Sequence, residues 1–233
     1  MLILALDSTA VVASVALCRD ETPIASFHIK NGNTHSETLL PMVETVLKTA
    51  GFSVNDIDLF ACSVGPGSFS GVRIGVATIK GLAFGKNKPC IGVSTLEALA
   101  LNAVPFDGFI CPVMNARRGQ VYNALFRYEN GSLVRLCPDR ALSALELEAE
   151  LAKKGEPFAL VGDGVEEMIR IAPKTAIAHI SPLLTDQNAI SVAKCAYRAF
   201  LDGKSSTDAE LKPVYLRLPQ AERERLAKLN ENK

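Results

Sequence analysis

Apolar residues at the start of the chain fall into short runs separated by polar turns. Leu2 to Leu6 ends in Asp7-Ser8-Thr9, Val11 to Cys18 ends in Arg19-Asp20-Glu21-Thr22-Pro23, and Ile24 to Ile29 ends near Asn31-Gly32-Asn33-Thr34. Runs of this length, bounded by turn residues, predict three strands in an antiparallel meander. Thr34 and Glu37 stand at capping-box spacing, so a helix is predicted from there to about Ala50, ended by Gly51. Pro41 falls inside it and predicts either a kink or a true start near Leu40. Residues 58–64 form the next apolar run, which enters Gly65-Pro66-Gly67-Ser68-Phe69-Ser70-Gly71-Val72-Arg73-Ile74-Gly75. A helix-like segment leaves that loop over Val72 to Phe84. Cys90 to Val93 reads as a strand, and Ser94 as the N-cap of another helix. The order β-β-β-α-β-α-β-α predicts an α/β fold, a mixed sheet with helices packed on it.

A boundary is predicted near Val104-Pro105-Phe106-Asp107-Gly108, dividing the chain into domains 1–104 and 105–233. Beyond it, strands are predicted at Phe109 to Met114, Gln120 to Tyr128 and Leu133 to Leu136, the last two joined by a hairpin at Glu129-Asn130-Gly131-Ser132. A helix over about Ser143 to Lys154 follows. Then come a strand at Phe158 to Val161, Gly162-Asp163-Gly164, a further helix, and a final helix over Asp186 to Leu201. Residues 203–233 read as irregular, with a charged tail at Glu222-Arg223-Glu224-Arg225. The second half, strands and then helices, weakly echoes the first.

Composition narrows the function classes. Lys+Arg and Asp+Glu balance at 25 each, which gives no electrostatic case for wrapping nucleic acid, so any role there is local or indirect. Trp is absent and aromatics are 6%, so no stacking platform for single strands is evident. The six cysteines, Cys18, Cys62, Cys90, Cys111, Cys137 and Cys195, contain no C-x-x-C pair and read as reduced core residues of a cytoplasmic protein. The N-terminus reads as a strand rather than a signal peptide, and no apolar run has the length of a membrane span.

The glycine loop sits at a strand-to-helix junction, where it either cradles an anion or lets another backbone approach closely. The dinucleotide fingerprint fits poorly, since three strands precede the loop and the next strand ends in Ile91-Gly92-Val93-Ser94 rather than an acidic residue. A P-loop lacks its Gly-Lys-Ser/Thr, and a nucleophile elbow fails because Phe69 is the central residue of Gly67 to Gly71. In the helix, Gly71 and Gly75 share a face with Ala77 or Thr78, and Gly81 and Gly85 repeat the spacing. Glycine inside a helix costs about 0.8–1 kcal/mol relative to alanine, which calls for a steric reason. Packing in the chain's own core and packing against a partner both supply one.

Asp7-Ser8-Thr9 is a turn that can hold phosphate and magnesium, and Gly162-Asp163-Gly164 one that can approach an adenosine. Plain polar turns are commoner than either use. The histidines, His28, His35 and His179, include no pair at helical i, i+4 spacing, so no metal site is expected. Glu37 and Glu44 read as solvated. Arg117-Arg118-Gly119-Gln120 can clamp an anion, with a simple surface turn as the commoner reading.

Several motifs, in order, resemble the bacterial TsaB (YeaZ) family. They are Leu4-Ala5-Leu6-Asp7-Ser8-Thr9, His35-Ser36-Glu37-x-Leu39-Leu40-Pro41, the glycine loop, Ala116-Arg117-Arg118-Gly119-x-Val121-Tyr122, Val161-Gly162-Asp163-Gly164 and Pro213-x-Tyr215-Leu216-Arg217. Asn115 and Gln120 stand where the family often has Asp and Glu. The resemblance implies a two-domain actin/Hsp70/sugar-kinase-like (ribonuclease H-like) fold and a role in making threonylcarbamoyladenosine in tRNA. It implies a non-catalytic scaffold subunit that binds a larger paralogue, TsaD, which carries the H-x-x-x-H metal pair. A small ATPase, TsaE, a homodimer using the TsaD-binding surface, and only indirect contact with tRNA are implied as well. The partner interface is expected from His35, Leu39, Leu40, Val43 and Val46 on one helix and Gly71, Val72, Arg73, Gly75, Val76 and Ile79 on the next. No catalytic residue, metal or required cofactor is expected. Weak ATP/ADP and magnesium binding is expected at most, at Asp7, Ser8, Thr9, Gly162, Asp163 and Gly164. Two alternatives remain: an ATP-binding enzyme that uses the interdomain cleft and, as a minor one, a peptidase.

Overall fold

The computed structural model describes residues 1–172, 177–178 and 184–217. The chain opens with the meander: β1 (Leu2–Asp7), β2 (Ala13–Arg19) and β3 (Thr22–Ile29), each antiparallel to the one before. Then β4 (Leu59–Gly65) and β5 (Cys90–Ser94) add in parallel beside β1, giving the order β3-β2-β1-β4-β5. Every residue of β1 and β4 is buried, as expected of parallel strands covered on both faces.

The period-two alternation of β1 divides the core. Leu2, Leu4 and Leu6 face α1 (His35–Ala50) and α2 (Phe69–Ala83). Ile3 and Ala5 face α6 (Ala189–Leu201) on the other side, with α3 (Thr95–Leu101) beside it.

A second sheet repeats the plan. Its strands are β6 (Phe109–Arg117), β7 (Gln120–Asn123), β8 (Phe126–Glu129), β9 (Ser132–Arg135), β10 (Arg140–Ser143), β11 (Phe158–Val161) and β12 (Ile177–Ala178). The path β10-β7-β6-β11-β12 has the first sheet's order, with two antiparallel and two parallel pairings in the same places. The β8–β9 hairpin is an addition on β6, turned by Asn130 and Gly131 at φ 51 and 80. Two helices, α4 (Ala144–Ala152) and α5 (Val165–Ile171), accompany this sheet.

Several expectations change in detail. Helix α1 runs through Pro41 without a break, and Thr34 caps it by position only, its hydroxyl lying 3.2 Å from Ser36 Oγ. Helix α2 begins earlier than its apolar run, at Phe69, where the Ser68 hydroxyl accepts the Gly71 N–H at 3.3 Å. The run Gln120 to Tyr128 is two strands, parted at Ala124-Leu125, and β10 was hidden in a polar stretch. The second sheet also does not hold all of residues 105–233. Helix α6 packs on the first sheet, with Ala189 N–H donating to Ser14 Oγ at 3.0 Å. A strap follows, in which Ser206 bridges Cys90, Leu211 enters the α1–α2 core, and Val214 N–H donates to Val64 O at 2.7 Å.

All six cysteines are free, and all but half-buried Cys137 are buried. No helix among the described residues is long and apolar enough to cross a membrane. His179 and the charged run 222–225 lie outside the described residues.

Candidate functional site

The glycine loop is a close-packing device. At its start, Ser68 N–H donates to Thr9 O at 2.7 Å, and one turn into α2 the Ser8 hydroxyl donates to Gly71 O at 2.9 Å. A Cβ on Gly67, Gly71 or Gly75 would come closer than 3.0 Å to Thr9 or Ser8, and at Gly71 the obstacle is the Ser8 carbonyl itself. The steric reason for Gly71 and Gly75 is therefore the end of β1, within the same chain.

Asp7 ties that end together. Its Oδ1 accepts the Thr9 N–H at 2.9 Å and the Thr9 hydroxyl at 2.7 Å, while its Oδ2 accepts the Ser63 hydroxyl at 2.5 Å. Burial pushes the Asp7 carboxyl above its ordinary range, and these hydrogen bonds pull against that shift. Asp7, Ser8 and Thr9 are all buried, with every side chain engaged within the protein. As it stands, this turn is a structural knot rather than an open cradle for phosphate and magnesium. His35 joins it from α1, its Nε2 lying 2.7 Å from Ala10 O, with Nδ1 buried and unpartnered. The same use of glycine recurs in the second half. A Cβ on Gly162 or Gly164 would collide with the backbone of Val113 or Met114, and Gly164 N–H donates to Val113 O at 3.1 Å.

Between the two sheets lies a cleft of about 550 Å³. One wall is Thr9 to Val11 and the loop 66–70, the other is the end of β6 with Tyr122 and Asp163, and the strap 214–217 closes one side. Tyr215 rests on Phe69 with ring centroids 4.7 Å apart, and Arg217 Nη1 donates to Ala116 O at 2.7 Å, so the strap bridges the two units. Asp163 opens into this cleft but is closely walled by protein, which pushes its carboxyl up to about 6 against the pull of the Asn115 N–H at 3.4 Å. Asn115, in the place where the family often has Asp, uses its side chain to accept the Arg117 N–H at 2.7 Å. Of the polar residues the sequence offers for a nucleotide, only Thr9 and Asp163 line the cleft.

The expected interface residues divide in a similar way. Leu39, Val43, Val46, Val72, Val76 and Ile79 are buried in this chain's own core, because the apolar stripe of each helix faces β1, β2 and β4. Gly71 and Gly75 are buried beneath them, His35 is half-buried, and Leu40 and Arg73 are exposed. The outward surface is made of other residues. On α2, Arg73, Ala77 and Gly81 are exposed at intervals of one turn, and Phe84 beyond them is 78% exposed. A Cβ on Gly81 would meet nothing within 4 Å. On α1, Leu40 is 53% exposed and, with Pro41, Glu44, Phe52 and Leu82, borders a groove of about 630 Å³. The sequence signal for this face was Gly81, which has no reason inside the chain, whereas Gly85 lies past the end of α2 at φ 69, where a turn calls for glycine.

Among the described residues, no three His, Cys, Asp or Glu side chains gather to hold a metal ion.

Two sheets of one order, 3-2-1-4-5 in each, facing across a cleft, define a two-domain actin/Hsp70/sugar-kinase-like protein. The family model described as TsaD: tRNA N6-adenosine threonylcarbamoyltransferase matches residues 30–203. The Escherichia coli K12 "tRNA threonylcarbamoyladenosine biosynthesis protein TsaB" is 33% identical over 93% of this chain and 95% of its own length. Its Bacillus subtilis counterpart is 38% identical over 70% of this chain and 71% of its own. The solved structure "YeaZ from Pseudomonas aeruginosa" superposes with a TM-score of 0.80 at 27% identity, covering 92% of this chain and 99% of that one. The chain belongs to the TsaB (YeaZ) family.

Proposed function

We propose that the chain serves tRNA threonylcarbamoyladenosine biosynthesis as a non-catalytic scaffold subunit, and that its work is to bind a TsaD-type transferase through the outer face of α1 and α2. The observation that carries this reading is the exposed stripe Arg73, Ala77, Gly81 and Phe84 on α2, together with exposed Leu40 on the neighbouring helix α1. Large apolar side chains stand out in solvent there, next to a helical glycine with open space above it. An exposed helix position held by glycine costs about 1 kcal/mol relative to alanine and gains nothing from this chain's own packing. A second helix laid against Ala77 and Gly81 can approach closely and bury Leu40 and Phe84. One face cannot be buried twice, so a homodimer through this surface would compete with the transferase, and a TsaE-type ATPase would join the assembly elsewhere.

His28 and His35 contact Asp186 and Ala10 O respectively, which leaves neither aimed at a shared metal. An ATP-using enzyme would have to bring a magnesium ion to Asp7, which is buried and already accepts three hydrogen bonds from Ser63 and Thr9.

The test is co-purification with the TsaD-type protein of the same organism. Leu40→Asp and Gly81→Leu are each expected to abolish capture while leaving the circular dichroism spectrum and melting behaviour of a folded chain. Undiminished capture by both variants would refute the assignment.

A further inference from the structure

The outer stripe of α2 carries a single charge, Arg73, among Ala77, Gly81 and Phe84. Arg73 is exposed and makes no ion pair among the described residues. Its guanidinium carbon lies 5.1 Å from the centroid of the Phe69 ring, and that ring is backed by Tyr215. A guanidinium resting over a ring is oriented in advance while its N–H donors stay free for another group. The other cation of α2, Lys80, is consumed within the chain, where Nζ donates to Ala209 O at 2.9 Å and Leu211 O at 3.3 Å. Arg73 is thus held ready for a charge that its own chain does not supply.

The two occupants that compete for this face differ in what they bring to Arg73. Helix α2 holds no Asp or Glu. A second copy joins through a two-fold axis, so its contribution follows from the sequence of α2 itself. With the axis across α2, Ala77 meets the copy's Gly81, and Arg73 meets the turn just past the copy's Phe84, next to Lys86. With the axis along α2, Arg73 meets the copy's Arg73. Neither arrangement lays a carboxylate on the guanidinium. Glu37 and Glu44, the outward carboxylates of α1, lie off that line, and Glu44 stands one turn from Lys48. A like charge, or an arginine desolvated without a partner, counts against the occupant that imposes it.

We infer that Arg73 selects between the two occupants: it pairs with a carboxylate on a transferase helix laid along Ala77 and Gly81, and it opposes burial of the same face against a second copy. This rests on the partner-face reading above and adds the chemistry of the partner, an acidic side chain about one turn from the residues that pack on Ala77. It also gives the helix pair a direction, because the opposite end, at Phe84 and the groove beside Leu40, takes an apolar side chain.

The experiment measures two equilibria of the full chain by sedimentation. One is binding to the TsaD-type protein of the same organism at about 50 and about 500 mM sodium chloride, and the other is self-association of the chain alone. Arg73→Gln is expected to weaken the heterodimer about tenfold or more at low salt and to remove most of its salt dependence. Self-association of that variant is expected to be at least as tight as in the parent. Arg73→Lys, which keeps the charge, is expected to lose less. Lys153→Gln, which removes an exposed cation from the second unit, is expected to match the parent in both equilibria. Unchanged heterodimer affinity in Arg73→Gln, an equal loss in Lys153→Gln, or a loss of self-association as large as the loss of heterodimer would each overturn the inference. Gly81→Leu keeps the two readings apart. If it still binds the transferase, the partner face itself is wrong; if it fails to bind while Arg73→Gln binds as the parent does, only the selection by Arg73 falls.

Discussion

The inner and outer glycines of α2 have opposite surroundings. Gly71 and Gly75 press on Ser8, where a Cβ has no room, whereas Gly81 faces open space. Sequence spacing alone joins them into one small-residue stripe. Geometry separates them into a set that seats the helix on its own sheet and a set that leaves a shallow surface for another molecule. Glycine repeats therefore inform about function only after those with an internal reason are removed.

The strongest way to break this comparison is at its inner end. Gly71→Val drives a branched side chain into the Ser8 carbonyl and is expected to destabilise the chain by at least about 3 kcal/mol, read by urea unfolding. A loss near zero would mean that the helix is not seated as described. Asp7→Ala removes the acceptor that ties Ser63 and Thr9 to the same junction. Stranding those buried donors is expected to cost about 2 kcal/mol, measured in the same way. At the outer end the sign reverses, since Gly81→Leu is expected to stabilise the isolated chain by up to about 1 kcal/mol through helix propensity.

The smallest effect belongs to the second sheet's counterpart turn, Gly162-Asp163-Gly164. The Asp163 carboxyl is raised from 3.8 to about 6, so the folded state binds its proton more tightly than the unfolded state does. Its contribution is fully present below pH 3.8 and is lost as pH rises through about 6. Asp163→Asn is therefore expected to match the parent at low pH and to exceed it above that window. The gain is about 1 kcal/mol or less, since Asp163 is open to solvent and screened. Thermal melts across that pH range read the difference.

Much of the local structure is legible from sequence pattern. The three-strand meander, the β4–loop–α2 junction, Ser94 as a cap and the Asn130-Gly131 hairpin all follow from run length and turn chemistry, because each involves residues near one another in the chain. The return of α6 and the strap to the first sheet is not legible that way, since Ala189 meets Ser14 and Val214 meets Val64 over long sequence separations. The sequence singled out apolar positions on α1 and α2 as an expected partner surface. It could not show that Leu39, Val43, Val76 and Ile79 are consumed by the chain's own sheet, leaving Leu40, Ala77, Gly81 and Phe84 outside. In the second half, Arg117-Arg118-Gly119 was visible as a turn. Its position in a cleft opposite the start of α2 depends on the packing of two sheets that share no local sequence.

The central claim is that the outer face of α1 and α2 binds the transferase, and Gly81→Leu tests it most directly. Sedimentation velocity of the purified chain mixed with its TsaD-type partner is expected to show a complex with the parent. With Gly81→Leu it is expected to show two separate species, although the variant alone is at least as stable. A complex of unchanged affinity with Gly81→Leu would contradict the claim.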